Sequence, residues 1–296
     1  KFIFLAFDKS QCIGQYALIP YKINFCGKTI QTLLSLDSMV HPDYQGQRIF
    51  TELIKYARNE LKSLKHPLIT FINENTIHVY TKRFNWTYLG NIPVYCRPLS
   101  LKQLRNANKL LFSLFKPFSL IINYISRSKR DILLQKIKKF DEVIECKSSY
   151  NDKFYSIGQT KEFLNWRYIQ SPQDYDCFRI MYKGNCIGYC VIRIEEKFGL
   201  KFAWIMDLFI QDEFAKYFHN VLNVISTKFF LKSDFITSLL PNNYYKNYYS
   251  KALFFQIPQL LIPHKFYFCV NKNHSSQNNI CKLENWYMTW SLNDVI

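Results

Sequence analysis

The residues with the clearest chemical potential form one short run from His41 to Phe50, with the sequence His-Pro-Asp-Tyr-Gln-Gly-Gln-Arg-Ile-Phe. This run lies between a strand-like segment and a segment of helical periodicity. A turn of this type collects several main-chain N–H groups at the positive end of a helix dipole. We therefore expect an anion-binding site here, of the kind that holds a pyrophosphate.

Two elements must position this turn. Leu33–Val40 predicts a strand that ends at the turn, and the residues after the turn predict an amphipathic helix. Apolar side chains recur there at helical spacing, while charged residues such as Glu52 and Lys55 take the other faces. The predicted buried stripe comprises Ile49, Phe50, Leu53, Ile54, Ala57, Leu61 and Leu64.

The positive charge of the chain is concentrated in one segment. The 296 residues include 39 basic and 22 acidic side chains, a net charge of +17. Residues 101–140 contain ten of the basic residues and one acid, so the remaining excess is too diffuse to indicate a nucleic-acid groove. This segment contains no glycine and predicts a basic helical connector, either solvated or in peripheral contact with an anionic membrane surface.

The nine cysteines are scattered, without a Cys-x-x-Cys pair or a nearby histidine pair, so no metal site is predicted. An odd number of scattered cysteines favours reduced thiols and a cytoplasmic location. The apolar stretch Leu110–Ile125 is interrupted by polar residues and is too short to predict a membrane span. The chain begins at Lys1 within a strand-like run, which suggests the interior of a longer protein.

Two parts of the chain resemble each other. Cys12-Ile13-Gly14 corresponds to Cys186-Ile187-Gly188, and Leu36–Val40 corresponds to Met206–Ile210. Ile69-Thr70 and Ile236-Thr237 form a third match in the same order. The matches predict two copies of one α/β domain, each with a β-hairpin, a strand, a helix and further strands.

Around the turn, the sequence resembles the GNAT superfamily of acyl-CoA-dependent N-acetyltransferases. Val40-x-Pro42 and Gln45-Gly46 match its signature, whereas Arg48 stands at a glycine position and Phe50 at a Gly/Ala position. The segment Asn73–Trp86 is similar to a second motif of the family, with Asn85 in place of the usual glycine. The resemblance covers residues 2–99 well and residues 143–290 more faintly, and it implies a protein with two tandem GNAT-like domains.

The resemblance also implies roles for particular residues. In the family, the end of the strand holds the thioester and the pantetheine arm, and the main chain of the turn holds the pyrophosphate. The implied acyl-CoA-binding residues are Met39, Val40, Gln45, Gly46, Gln47, Arg48, Ile49, Phe50 and Asn75. Tyr80 is the implied general acid that protonates the departing CoA thiolate.

Each of these roles has an alternative. Tyr80 is one of 21 tyrosines and would serve equally as a core residue, and Asn75 would serve equally as a helix cap. Arg48 would either crowd the cofactor and impair turnover or offer its guanidinium to a phosphate oxygen. Asp37 is a candidate base, but its counterpart Asp207 occurs in a copy without the phosphate signature, which favours a structural role.

The resulting hypothesis assigns residues 1–100 to an acyl-CoA-binding GNAT domain that lacks its N-terminal strand and helices. Residues 101–140 form the connector, and residues 141–296 form a second, degenerate GNAT-like domain. Each domain is expected to contain a mixed, mostly antiparallel sheet flanked by helices. Acetyl transfer from acetyl-CoA to an amine-bearing acceptor is the implied reaction, without a metal and without a specific nucleic acid. The alternatives are a non-catalytic binding module and an aminoacyl-tRNA-dependent transferase.

Overall fold

The computed structural model describes residues 1–101, 131–141, 153–157, 159–240, 242–262, 265–271 and 278–292, together with residues 109, 113, 116, 117, 119 and 120. The chain divides into two compact units. The first comprises Lys1–Ile92, Phe154–Gly158 and Pro263–Trp286. The second comprises Pro93–Lys153, Gln159–Ile262 and Tyr287–Ile296.

The described residues form fourteen strands and four α-helices. The strands are β1 (Phe2–Asp8), β2 (Gln11–Phe25), β3 (Lys28–Val40), β4 (Leu68–Ile72), β5 (Thr87–Asn91), β6 (Val94–Pro98), β7 (Ile132–Lys136), β8 (Ser156–Ile157), β9 (Asp176–Tyr182), β10 (Asn185–Lys197), β11 (Leu200–Ile210), β12 (Phe235–Leu239), β13 (Phe255–Gln256) and β14 (Tyr267–Asn271). The helices are α1 (Ile49–Glu60), α2 (Lys161–Leu164), α3 (Phe218–Phe229) and α4 (Lys246–Lys251).

Each unit contains one seven-stranded mixed sheet. The order is β1-β2-β3-β4-β14-β5 in the first unit, where β8 also pairs with β2, and β13-β6-β12-β11-β10-β9-β7 in the second. Only the β3–β4 and β11–β12 pairs are parallel among the strands that the structure describes. The predicted fold class, two α/β domains with mostly antiparallel sheets, is confirmed.

The two sheets exchange one strand each. Strand β6 follows β5 directly in the chain but pairs with β12 and β13 in the sheet of the second unit. Strand β14 comes from the C-terminal part of the chain and lies between β4 and β5 in the first unit. Each unit is therefore built from several separate segments of the chain. The division expected from the sequence, at residues 100 and 140, instead consists of continuous segments.

The prediction of a helical connector over residues 101–140 is wrong for its last part. Ile132–Lys136 is strand β7, which pairs with β9 in antiparallel register from Ile132↔Tyr182 to Lys136↔Phe178. A short run of apolar residues does not by itself distinguish a helix from a strand, and pairing at a sheet edge decides here. Most of residues 102–130, including most of the proposed membrane contact, lie outside the described residues. None of the helices in the described part of the chain is long and apolar enough to cross a membrane.

Helix α1 packs on the sheet of the first unit as its periodicity predicts. Leu53, Ile54 and Ala57 are buried against Tyr16 and Leu18 of β2 and neighbouring core residues. Gly14 of β2 permits this close approach, because a Cβ atom at this position would lie 3.0 Å from Ile49 Cγ2. The start of α1, and with it the turn that precedes the helix, is thereby fixed against the sheet.

Candidate functional site

The turn between β3 and α1 leaves the sheet at His41, whose main-chain N–H donates to the Ile13 carbonyl at 2.9 Å. A single helical turn follows at Pro42–Tyr44, and the N–H of Gln45 donates to the Pro42 carbonyl at 3.2 Å. Helix α1 begins at Ile49, and the N–H of Glu52 donates to the Arg48 carbonyl. The strand, the bend and the helix lie where the sequence predicts them.

The main-chain N–H groups of residues 46–50 have no hydrogen-bond acceptor among the residues that the structure describes. Gln45, Gly46, Gln47 and Arg48 are exposed, and Ile49 and Phe50 are half-buried. Open N–H groups at a helix N-terminus attract anions through direct hydrogen bonds and through the helix dipole. The N–H groups of residues 46–50 are therefore available to a ligand, and the anion site expected here remains a prediction.

Two residues of the turn have left-handed backbone conformations. Gly46 has a φ of 81°, and a Cβ atom added to it would meet nothing within 4 Å, so this position faces open space. Arg48 has a φ of 64° and stands at the N-cap of α1 without a side-chain cap. Its exposed guanidinium has no acidic partner within the described part of the chain. Two glutamine side chains stabilise the turn. Gln45 Nε2 donates to the Val40 carbonyl and Gln47 Nε2 donates to the Asp43 carbonyl, both at 3.3 Å.

Strands β3 and β4 separate next to this turn. Their parallel pairing extends only from Leu33↔Leu68 to Ser35↔Thr70, while β3 continues for five more residues to Val40. A β-bulge at this point shifts the β2–β3 register, and Asp37 adopts a φ of 49°. Beyond the bulge, the Met39 side chain is 64% exposed. Beyond Ser35, β3 is thus no longer paired with β4, and we call the gap between the unpaired ends of the two strands the β3–β4 opening.

Tyr80 lies beneath the β3–β4 opening rather than on the surface. Its side chain is 2% exposed, and its hydroxyl lies 3.3 Å from Ser35 Oγ. Burial raises the pKa of Tyr80, and hydrogen bonds with Ser35 and Ser38 oppose this rise. The phenol thus retains its proton at neutral pH while contacting residues of the bulged strand.

The sequence left two roles open for Asn75 in the segment after β4, a helix cap and a cofactor contact. Asn73, not Asn75, is the local cap, because its Oδ1 accepts from the main-chain N–H groups of Asn75 and Thr76, both at 3.1 Å. The Asn75 side chain is exposed. Asn85 has a φ of 56°, the left-handed conformation expected for a residue at a glycine position.

The corresponding part of the second unit is closed. Asp207, Leu208 and Phe209, the counterparts of Asp37, Ser38 and Met39, are at most 2% exposed. The Leu208 carbonyl accepts a hydrogen bond from the Tyr287 hydroxyl. Trp290 of the same C-terminal segment packs edge-on against Trp204, with 4.9 Å between ring centroids. The chain itself therefore covers the strand end that remains open in the first unit.

Asp207 forms the centre of a buried polar network in the second unit. Its carboxylate accepts from Gln159 Nε2 at 2.8 Å and 2.9 Å, from the Tyr189 hydroxyl at 3.2 Å and from the main-chain N–H of Leu208 at 3.0 Å. The hydroxyls of Tyr168 and Thr289 lie within 3.5 Å of it. Burial raises the pKa of Asp207 to about 7, and the hydrogen bonds that its carboxylate accepts oppose this rise only in part. These contacts join several segments of the unit, in agreement with the predicted structural role.

Sequence reasoning missed Ser35 and Thr70, which close the inner end of the β3–β4 opening. Thr70 Oγ1 donates to the Ser35 carbonyl at 3.0 Å. The sequence signal for them is weak, because Thr70 is the one polar residue of β4 but Ser35 is one of several polar residues of β3. Within the described residues, no group of three His, Cys, Asp or Glu side chains could hold a metal ion.

Comparisons with known proteins agree with this geometry. Residues 1–89, which contain β1–β4, α1, the turn and the first part of β5, match the family model described as an acetyltransferase (GNAT) domain. No curated protein matches the chain.

Solved structures of two-domain size share the fold of the chain. They include a probable N-acyltransferase from Enterococcus faecalis V583, with a TM-score of 0.62, 11% identity and coverage of 90% of this chain and 61% of that one. A GCN5-related N-acetyltransferase from Anabaena variabilis has a TM-score of 0.59, 13% identity and coverage of 91% and 62%. N-myristoyltransferase from Saccharomyces cerevisiae, with bound myristoyl-CoA, has a TM-score of 0.55, 12% identity and coverage of 89% and 68%.

The chain thus spans about three fifths of the length of the first two of these structures. At such low identity, the likeness concerns the fold, and the sequence match to the family concerns the part of the chain that contains the site. The protein therefore has the two-sheet α/β fold of these structures, and its residues 1–89 match the model of a GNAT acetyltransferase domain.

Proposed function

We propose that this protein is an acyl-CoA-dependent N-acyltransferase whose first unit binds the acyl-CoA. The observation that carries the proposal is the set of open main-chain N–H groups of residues 46–50, located at the start of α1 and at the end of a strand that separates from its neighbour. A diphosphate would accept hydrogen bonds from these groups, and the pantetheine arm would extend along the β3–β4 opening. This arrangement supports a CoA thioester as donor over an aminoacyl-tRNA.

Different residues of the first unit bind different parts of the acyl-CoA. Gly46, Gln47, Arg48, Ile49 and Phe50 hold the diphosphate through their main-chain N–H groups, while Gln45 stabilises the turn beside it through its own hydrogen bonds. The Arg48 guanidinium adds a charged contact to a phosphate oxygen. Met39 and Val40 contact the thioester and the adjoining arm, and Asn75 contacts the pantetheine amides. Acetyl is the acyl group that the family assignment favours.

The reaction is direct acyl transfer. The neutral amine of the acceptor attacks the thioester carbonyl, so that a C–N bond forms and the C–S bond breaks. The attacking nitrogen loses a proton to solvent, and the leaving thiolate takes a proton from the Tyr80 hydroxyl. The Tyr80 phenolate then regains a proton from solvent, which restores the enzyme. The main contribution of the first unit is to hold the two reactants in close contact and correct orientation.

The second unit acts as a non-catalytic partner in this proposal. Its counterpart of the acyl-CoA site is covered by residues 287–292, and its segment Gln211–Lys216 contains no glycine. No observation on the described residues favours the alternative of a binding module that acts through residues 101–140.

Calorimetric titration with acetyl-CoA tests the proposal, with a matched pair of glycine variants. Gly46 and Gly184 have φ values of 81° and 85°, and at both positions an added Cβ would meet nothing within 4 Å. Alanine at either position should therefore cost the same ~1 to 2 kcal/mol of folding stability. Only Gly46→Ala places a methyl group where the diphosphate binds.

We expect wild-type protein and Gly184→Ala to bind acetyl-CoA with equal, micromolar affinity. Gly46→Ala should bind it at least about tenfold more weakly, a difference of ~1.4 kcal/mol. Absence of binding to the wild-type chain would refute the proposal, as would equal weakening in both variants. An N-acylation assay with a panel of sugar, peptide and small-molecule amines then identifies the acceptor.

A further inference from the structure

The inner end of the β3–β4 opening is closed by three buried hydroxyl residues, Ser35, Thr70 and Tyr80, which we call the floor. Each of the three is 2% exposed. Thr70 Oγ1 donates to the Ser35 carbonyl at 3.0 Å, and the Tyr80 hydroxyl lies 3.3 Å from Ser35 Oγ. The floor is therefore held together by hydrogen bonds and forms at the point where the pairing of β3 and β4 stops.

Aromatic rings fill the space behind the floor. Phe50, from the first turn of α1, contacts Tyr80 with 5.8 Å between ring centroids and Tyr16 with 6.5 Å. Trp86 packs edge-on against the other side of Tyr80, with 5.0 Å between centroids. Tyr16, Tyr80 and Trp86 are all at most 5% exposed. The side chains of Phe50 and Trp86 therefore pack directly against the Tyr80 ring of the floor.

We propose that the floor, with Phe50 behind it, restricts the acyl group of the donor to acetyl or a similarly short chain. The inference rests on the proposed function, because it takes the thioester to lie at the open end of β3. A longer acyl chain directed into the unit would have to move the Tyr80 ring and separate buried hydroxyls from their partners. A buried hydroxyl that loses its hydrogen bond is unfavourable, and so is overpacking of a filled core. The N-myristoyltransferase with the same fold has myristoyl-CoA bound, so the fold itself does not impose this limit.

Affinity for acyl-CoAs of increasing length tests the inference without knowledge of the acceptor. Calorimetry with CoA, acetyl-CoA, butanoyl-CoA and hexanoyl-CoA should show an affinity for hexanoyl-CoA about tenfold lower than for acetyl-CoA in the wild-type protein. Phe50→Ala, which removes the half-buried ring behind Tyr80, should reduce this difference to less than about threefold.

Phe4→Ala is the matched control. Phe4 is also a partly buried phenylalanine packed on the same core, but it contacts Tyr56 rather than the floor. This variant should keep the length dependence of the wild type, and Phe50→Leu provides a milder change if Phe50→Ala unfolds. Equal wild-type affinity for acetyl-CoA and hexanoyl-CoA would overturn the inference, as would the same change in length dependence in the Phe50 and Phe4 variants. If CoA itself does not bind, the proposed function fails instead.

Discussion

Replacing Asp207 by asparagine should change how the stability of the second unit depends on pH. Asp207 is fully buried, and its pKa is raised to about 7 from an ordinary value of 3.8. The folded state therefore binds a proton that the unfolded state releases between these two values. Stability contributed by this proton is complete below about pH 4 and is lost as the pH rises toward 7.

The size of the effect follows from the shift. A change of one pKa unit corresponds to about 1.4 kcal/mol of folding free energy. The shift of about three units at Asp207 therefore contributes roughly 4 kcal/mol less stability to the wild-type protein at pH 8 than at pH 4. Asparagine does not titrate and keeps a similar shape. At low pH, we expect Asp207→Asn to be less stable than wild type by about 1 kcal/mol, because the amide cannot accept from all the donors around it. At pH 8, it should be the more stable protein.

Urea unfolding between pH 4.5 and 8.5 measures this difference. The free energy of unfolding of Asp207→Asn minus that of the wild type should rise with pH and level off above about pH 7. Measuring both proteins at each pH provides the control, because the contributions of all other titrating groups cancel in this difference. A difference between Asp207→Asn and wild type that is independent of pH would refute the assignment of a buried, mostly protonated carboxyl group.

Three further substitutions test the site. Gly14→Val should destabilise the first unit by ~1 to 3 kcal/mol in urea unfolding and should weaken acetyl-CoA binding. The reason is that the valine side chain would collide with Ile49 and Leu53 at the start of α1. Unchanged affinity would show that the position of α1 does not depend on this contact. Tyr80→Phe should leave acetyl-CoA affinity unchanged but lower the rate of acyl transfer about 100-fold or more, because the proposed proton donor to the leaving thiolate is lost. An unchanged rate would show that Tyr80 is a core residue without a catalytic role. Arg48→Gly should raise stability by ~1 kcal/mol through relief of its left-handed conformation, while lowering acetyl-CoA affinity. A higher affinity in this variant would instead show that Arg48 crowds the cofactor.

The local parts of the site were predictable from sequence because their signals are local. Hydrophobic periodicity located α1 and its buried residues Leu53, Ile54 and Ala57, and the strand before the turn ends at Val40 as predicted. The first residues of any α-helix have main-chain N–H groups without an acceptor inside the helix. Once the start of α1 was predicted, the open N–H groups next to it could therefore be predicted too.

The remaining features depend on contacts between distant residues. Nothing in the composition of β6 or β14 indicates that each pairs with strands far away in the sequence, because the pairing partners of a short apolar strand are set by the whole sheet. The floor likewise arises from Thr70 and Tyr80 meeting Ser35 at sequence separations of 35 and 45 residues. Residues 132–136 show the opposite error, where local composition predicted a helix and edge pairing produced a strand.

Amide hydrogen–deuterium exchange with and without acetyl-CoA tests the central claim most directly, because it reports on the main-chain N–H groups themselves. We predict that acetyl-CoA slows exchange over residues 46–50 and leaves the corresponding residues at the start of α3, 215–219, unchanged. Acetyl-CoA binding that leaves residues 46–50 unprotected, or that protects residues 215–219 instead, would contradict the proposed donor site.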